Sequence, residues 1–86
     1  MQDQARSFPT REQIDDESRQ IRHLCIAATL TLQVIAEGGM SLEEAQDAAS
    51  ATRHLALQLF PGKEAVYDLI YGSKFRRLIA SIYRLH

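Results

Sequence analysis

The run Leu24–Ala36, LCIAATLTLQVIA, is the longest stretch of the chain without a charged residue, and its reading decides the fold. Its 13 residues reach roughly 20 Å as an α-helix, short of the ~30 Å hydrocarbon layer of a bilayer. A helix buried in protein is therefore expected, with no membrane span. Upstream, apolar residues recur seven apart at Ile14, Ile21, Ala28 and Ile35, with Leu24, Cys25 and Leu32 between them. That spacing is helical and extends the run into one long helix, from about Arg11 to Glu37.

Two sides of this helix are apolar. Ile21, Cys25, Ala28, Leu32 and Ile35 face one way, and Ile26, Leu30 and Val34 another. A surface helix of a globular protein carries one apolar stripe, so this one needs two coverings. The rest of the chain supplies one. A chain of 86 residues buries only roughly 60–65% of its unfolded surface, and small helical chains complete their cores by association. A homodimer is therefore expected, with Ile14, Ile21, Cys25, Ala28, Leu32 and Ile35 as its self-association seam.

The helix boundaries are written in caps. Thr10 with Gln13, and Ser41 with Glu44, have the spacing of capping boxes. Acidic Glu12, Asp15 and Asp16 follow the first cap and suit the positive end of a helix dipole. Gly38-Gly39 ends the first helix, because glycine tolerates the left-handed conformation past a helix end. The second helix carries Leu42, Ala45, Ala49, Thr52, Ala56 and Leu59 on one face and stops at Phe60-Pro61-Gly62. A short third helix over Lys63–Tyr71 would turn Val66, Leu69 and Ile70 inward and end at Gly72. Ser73 then caps a fourth helix with Phe75, Leu78, Ile79, Ile82 and Leu85 as its stripe. No strand pattern competes. The expected fold is all-α: a small bundle of four helices, the first long and central, the third short. Residues 1–9, closed by Pro9, read as a flexible arm, and residues 10–86 as a single helical domain.

Composition narrows the class of function. With 45% hydrophobic and 24% charged residues the chain is of globular type. One cysteine excludes an internal disulfide framework and suits a reducing compartment. The opening MQDQARSFP has no apolar core of a signal peptide, so a soluble, cytoplasmic protein is expected. Net charge is −1, but residues 1–47 carry −5 and residues 48–86 carry +4.

Signals for chemistry are nearly absent. His23 and Cys25 fall on different helical faces, and neither has a second ligand at a spacing of three or four. No C-x-x-C, H-E-x-x-H or P-loop occurs, so no cofactor, no metal and no catalytic residue is assigned. Cys25, inside the apolar run, reads as a small buried hydrophobe. The hairpin across Gly38-Gly39 has the outline of a helix-turn-helix. Its second helix, however, opens with Glu43, Glu44 and Asp47, which a phosphate backbone repels. In FPGKEAVYDLIY, the aromatics Phe60, Tyr67 and Tyr71 are expected to close one end of the bundle.

The chain is thus expected to bind rather than to catalyse, as a small regulator, adaptor or inhibitor of another protein. Lys74, Arg76, Arg77, Tyr83 and Arg84 form the expected partner-binding patch, since Tyr and Arg dominate interface hot spots. The alternative is a nucleic-acid-associated regulator that uses this basic C-terminal helix.

Overall fold

Two capping boxes frame the chain in the computed structural model, which describes residues 10–84. The proposed arm at residues 1–9, Leu85 and His86 lie outside that range. At the first box, Thr10 Oγ1 accepts from the Gln13 amide at 3.1 Å, and Gln13 Oε1 accepts from the Thr10 amide at 2.8 Å. Helix α1 runs from there over Arg11–Ala36. At the second, Ser41 Oγ accepts from the Glu44 amide at 3.1 Å, and Glu44 Oε1 from the Ser41 amide at 2.9 Å, opening α2 over Leu42–Leu59. Between them the Glu37 amide closes onto the Gln33 carbonyl at 3.1 Å, and Gly38 takes φ 78°. Only glycine enters that region without steric cost, which is why the hairpin turns there.

The expected third and fourth helices are one. Helix α3 is a joined 20-residue helix made of an α-helical turn at Glu64–Tyr67, a π turn at Asp68–Gly72 and an α-helical stretch at Ser73–Tyr83. Among the described residues the bundle therefore has three helices. Gly72 does not end anything, because it holds right-handed helical angles, φ −57° and ψ −41°. Ser73 does not cap, because its hydroxyl donates back to the Leu69 carbonyl at 2.9 Å.

The π turn also changes which residues face inward. Tyr67, Tyr71, Phe75, Ile79 and Tyr83 are spaced by four. A pure α-helix would carry such a row steadily around its surface. One π turn, with its i→i+5 bonds, holds extra residues and sets the row back onto the core side. Tyr67, Phe75 and Ile79 are buried, while Val66, Leu69 and Ile70, expected inside, are 52%, 77% and 47% exposed.

Helices α1 and α2 form an antiparallel hairpin, and α3 lies along both. The core has two centres. Ile35, Ala45, Phe75 and Ile79 make the one near the hairpin turn, and Leu24, Ala56 and Tyr67 make the other. The alanines at 45 and 56, both buried, let the helices approach closely. Buried Thr52 is satisfied within the hairpin, donating to the Ala48 carbonyl at 3.0 Å and lying 3.3 Å from Thr31 Oγ1. Tyr83 ties the end of α3 to the hairpin turn by donating to the Met40 carbonyl at 2.6 Å.

Helix α1 is longer than its partner, 26 residues against 18. Its surplus projects past the second core centre. From Arg11 to His23 every residue is exposed except half-buried Gln20. Cys25 is exposed too, contrary to the sequence expectation. Leu24 fills the adjacent core position, and Tyr71 of α3 touches Cys25 Sγ at 3.2 Å without burying it. Among the described residues no helix is long and apolar enough to cross a membrane.

Candidate functional site

The first candidate is the outer face of α1. Ile26, Leu30 and Val34 succeed one another by four residues and are 53%, 56% and 43% exposed. One helical turn advances 3.6 residues, so they form a slowly drifting stripe. It lies on the side of α1 away from Leu24, Ala28 and Ile35, which face the core. His23 and Glu37, each seven residues from Leu30, stand at the two ends of the same face and are exposed.

The seam expected from the heptad line divides. Ala28 and Ile35 are fully buried inside the chain, and half-buried Leu32 is packed on the core centre near the turn. These three are consumed by the fold. Ile14, Ile21 and Cys25 are exposed, in the N-terminal and middle turns of α1. Ile21 borders an apolar groove of about 390 Å³ with Phe60, Val66, Ile70 and Tyr71. Cys25 Sγ lies 3.2 Å from Tyr71 Oη at its margin. That hydrogen bond, then burial, pushes the Tyr71 hydroxyl above its ordinary pKa.

The second candidate is a cleft of about 640 Å³ between α2 and α3. Ala49, Ser50 and Arg53 come from α2, and Asp68, Phe75 and Arg76 from α3. Arg53 donates from Nε to Asp68 Oδ1 at 2.8 Å and from Nη2 to Oδ2 at 3.1 Å. This two-pronged geometry is the one a guanidinium and a carboxylate favour. The hydrogen bond from Arg53 holds the Asp68 carboxyl below the usual carboxylate range and raises Arg53. Tyr67, 5% exposed, also lines the cleft, and its hydroxyl has no hydrogen-bond partner among the described residues. Burial pushes that hydroxyl up to about 12, with Asp68 raising it further and Arg53 opposing.

The residues of the predicted basic patch are divided over different sides of α3. Lys74 and Arg76 stand two residues apart and therefore on different sides of the helix. Lys74 Nζ sits 5.7 Å from the centroid of the Tyr71 ring. Arg76 turns into the cleft beside Asp68. Tyr83 is half-buried and spent on Met40. Arg77 and Arg84 are exposed, Arg84 at a left-handed φ of 58° just past the helix end. Of the aromatic segment, Tyr67 and Tyr71 stack within the bundle at 5.7 Å between centroids.

Sequence reasoning missed Arg53 and Asp68. They lie 15 residues apart on separate helices, and nothing in local spacing announces the pair. The one available signal was that Asp68 is one of only two acids in the basic half of the chain. No protein family, curated protein or solved structure matches this chain.

Proposed function

We propose that this chain is a small, non-enzymatic protein-binding module, a regulator or adaptor, that works as a homodimer joined through the outer face of α1. The observation that supports this reading is the stripe Ile26, Leu30 and Val34, about half exposed on a helix whose opposite side is already buried. Fully covering a Leu or Ile side chain is worth about 1.5–3 kcal/mol, so finishing each of these contributes about 1 kcal/mol. A two-fold contact uses the stripe twice.

The stripe also suggests an orientation. If two copies of α1 cross antiparallel with Leu30 at the two-fold axis, Ile26 meets the partner's Val34. His23 then meets the partner's Glu37, so that groups of complementary character close both ends. Parallel copies would set Glu37 against the partner's Glu37. In the antiparallel dimer the outer side of α3, with Lys74 and Arg77, stays open to an acidic protein.

Size-exclusion chromatography with light scattering across a dilution series tests the proposal. A mass near twice 9.7 kDa is expected, dissociating on dilution. Leu30→Glu is expected to give a monomer of unchanged helicity. A wild-type monomer at every concentration, or a Leu30→Glu dimer as stable as wild type, refutes the α1 contact.

A further inference from the structure

The cleft between α2 and α3 has the makeup of a ligand site, independent of the dimer face. Its volume of about 640 Å³ falls within the ~300–1,000 Å³ typical of small-molecule pockets. Such sites combine an apolar wall with a few converging polar groups. Here Ala49, Phe75, Ile79 and Ala80 supply the wall, and Arg53, Asp68 and Arg76 the polar end.

The polar end has a definite charge pattern. Arg53 and Asp68 neutralise each other through their paired hydrogen bonds. Arg76 lies beside the same carboxylate but forms no hydrogen bond or ion pair among the described residues, so Arg53, Asp68 and Arg76 together carry a net charge of +1. It is held over Gly72. A Cβ placed on Gly72 would stand 3.5 Å from Arg76 Nη1 and 3.3 Å from Asp68 Oδ1. The missing side chain therefore leaves the floor open at the point where these two groups converge. The π turn that contains Asp68 and Gly72 brings both to the cleft, and such turns recur at functional sites. Tyr67, buried in the same wall, adds a hydroxyl without a partner among the described residues.

We propose that this cleft binds a small monocarboxylate with an apolar body, its carboxylate on Arg76 and its body on Phe75 and Ile79. A guanidinium presents a planar fork that matches a carboxylate. One net positive charge matches one negative charge, and the apolar wall disfavours a fully hydrated anion such as phosphate.

The test is a titration of the ¹⁵N-labelled protein followed by NMR, with octanoate as the probe and octan-1-ol and inorganic phosphate as controls. Octanoate is expected to give saturable shifts centred on Ser50, Arg53, Asp68, Gly72 and Arg76. Octan-1-ol and phosphate are each expected to bind at least about tenfold more weakly, as loss of a charge-assisted hydrogen bond or of the apolar contact implies. Arg76→Gln, at an exposed position, is expected to fold normally and to weaken octanoate by about tenfold. Gly72→Ala is a second variant. It keeps a helical residue at that position and puts a methyl group at the convergence point, so it is expected to weaken octanoate while the helix content holds. Absence of saturable octanoate shifts overturns the proposal. So does binding that Arg76→Gln leaves unchanged, equal binding of octan-1-ol or phosphate, or shifts centred on Phe60, Val66 and Ile70 in the other groove.

Discussion

Replacing Tyr67 with Phe removes one oxygen that has no hydrogen-bond partner among the described residues. Tyr67 is 5% exposed, so its ring remains a core element beside Leu24 and Ala56 after the change. An unsatisfied buried hydroxyl costs about 1–3 kcal/mol, so Tyr67→Phe is expected to stabilise the chain by about 1 kcal/mol near neutral pH. For a domain of this size that raises the thermal midpoint by about 4–8 °C. The difference widens at high pH. The folded chain holds the Tyr67 proton up to about 12, whereas an unfolded tyrosine releases it from its ordinary value of 10.0. Between those values the unfolded state binds fewer protons than the folded state, so wild-type stability falls as pH rises. Two pH units correspond to about 2–3 kcal/mol, fully present below pH 10.0 and lost by the time pH has passed about 12. The phenylalanine variant lacks this loss. Urea denaturation followed by circular dichroism, run on both proteins from neutral pH to pH 12, reads both effects. A Tyr67→Phe protein less stable than wild type at neutral pH would show that the hydroxyl has a partner after all. A gap that stays constant above pH 10 would show that Tyr67 titrates normally in the fold.

Other perturbations separate the parts of the molecule. A charge swap probes the antiparallel contact: Glu37→Lys alone weakens the dimer, and His23→Glu added to it restores the dilution midpoint seen by light scattering. Failure of the second change to rescue excludes that orientation. Ile35→Ala, at a fully buried position, is expected to cost about 2–5 kcal/mol in urea denaturation of dilute monomer, whereas Leu30→Ala costs well under half of that. Ser41→Ala should lower global stability by about 1 kcal/mol, because its cap starts a helix packed along its whole length. Thr10→Ala breaks an equivalent cap, yet it should speed amide exchange only in the first turns of α1, where nothing is buried. The Arg53–Asp68 pair contributes stability above the carboxylate range and loses it as pH falls through the lowered Asp68 pKa. Asp68→Asn should flatten that acid limb of the stability profile.

Much of the architecture could be read from local pattern. Both capping boxes, the Gly38 turn and the inward face of α2 are set by residues within a few positions of one another. Local hydrogen bonding and backbone sterics suffice to specify them. The long α1 and its two apolar sides were equally legible, because helical periodicity assigns a side to each residue before any partner is known. Other features required the tertiary structure. Gly72 and Ser73 carry the local marks of a helix break, yet packing of Tyr67, Phe75 and Ile79 against α1 and α2 draws the chain through as one helix, with a π turn absorbing the mismatch. Cys25 lies in the most apolar run of the sequence and is exposed, because burial depends on how far the neighbouring helices reach. The same holds for the basic residues. Lys74, Arg76 and Tyr83 are close in sequence, but the fold sends one onto an aromatic ring, one into a cleft and one to a backbone carbonyl. Sequence spacing assigns side chains to faces of a single helix. Which faces meet, and so whether Arg53 finds Asp68 across two helices, depends on the packing of the whole bundle.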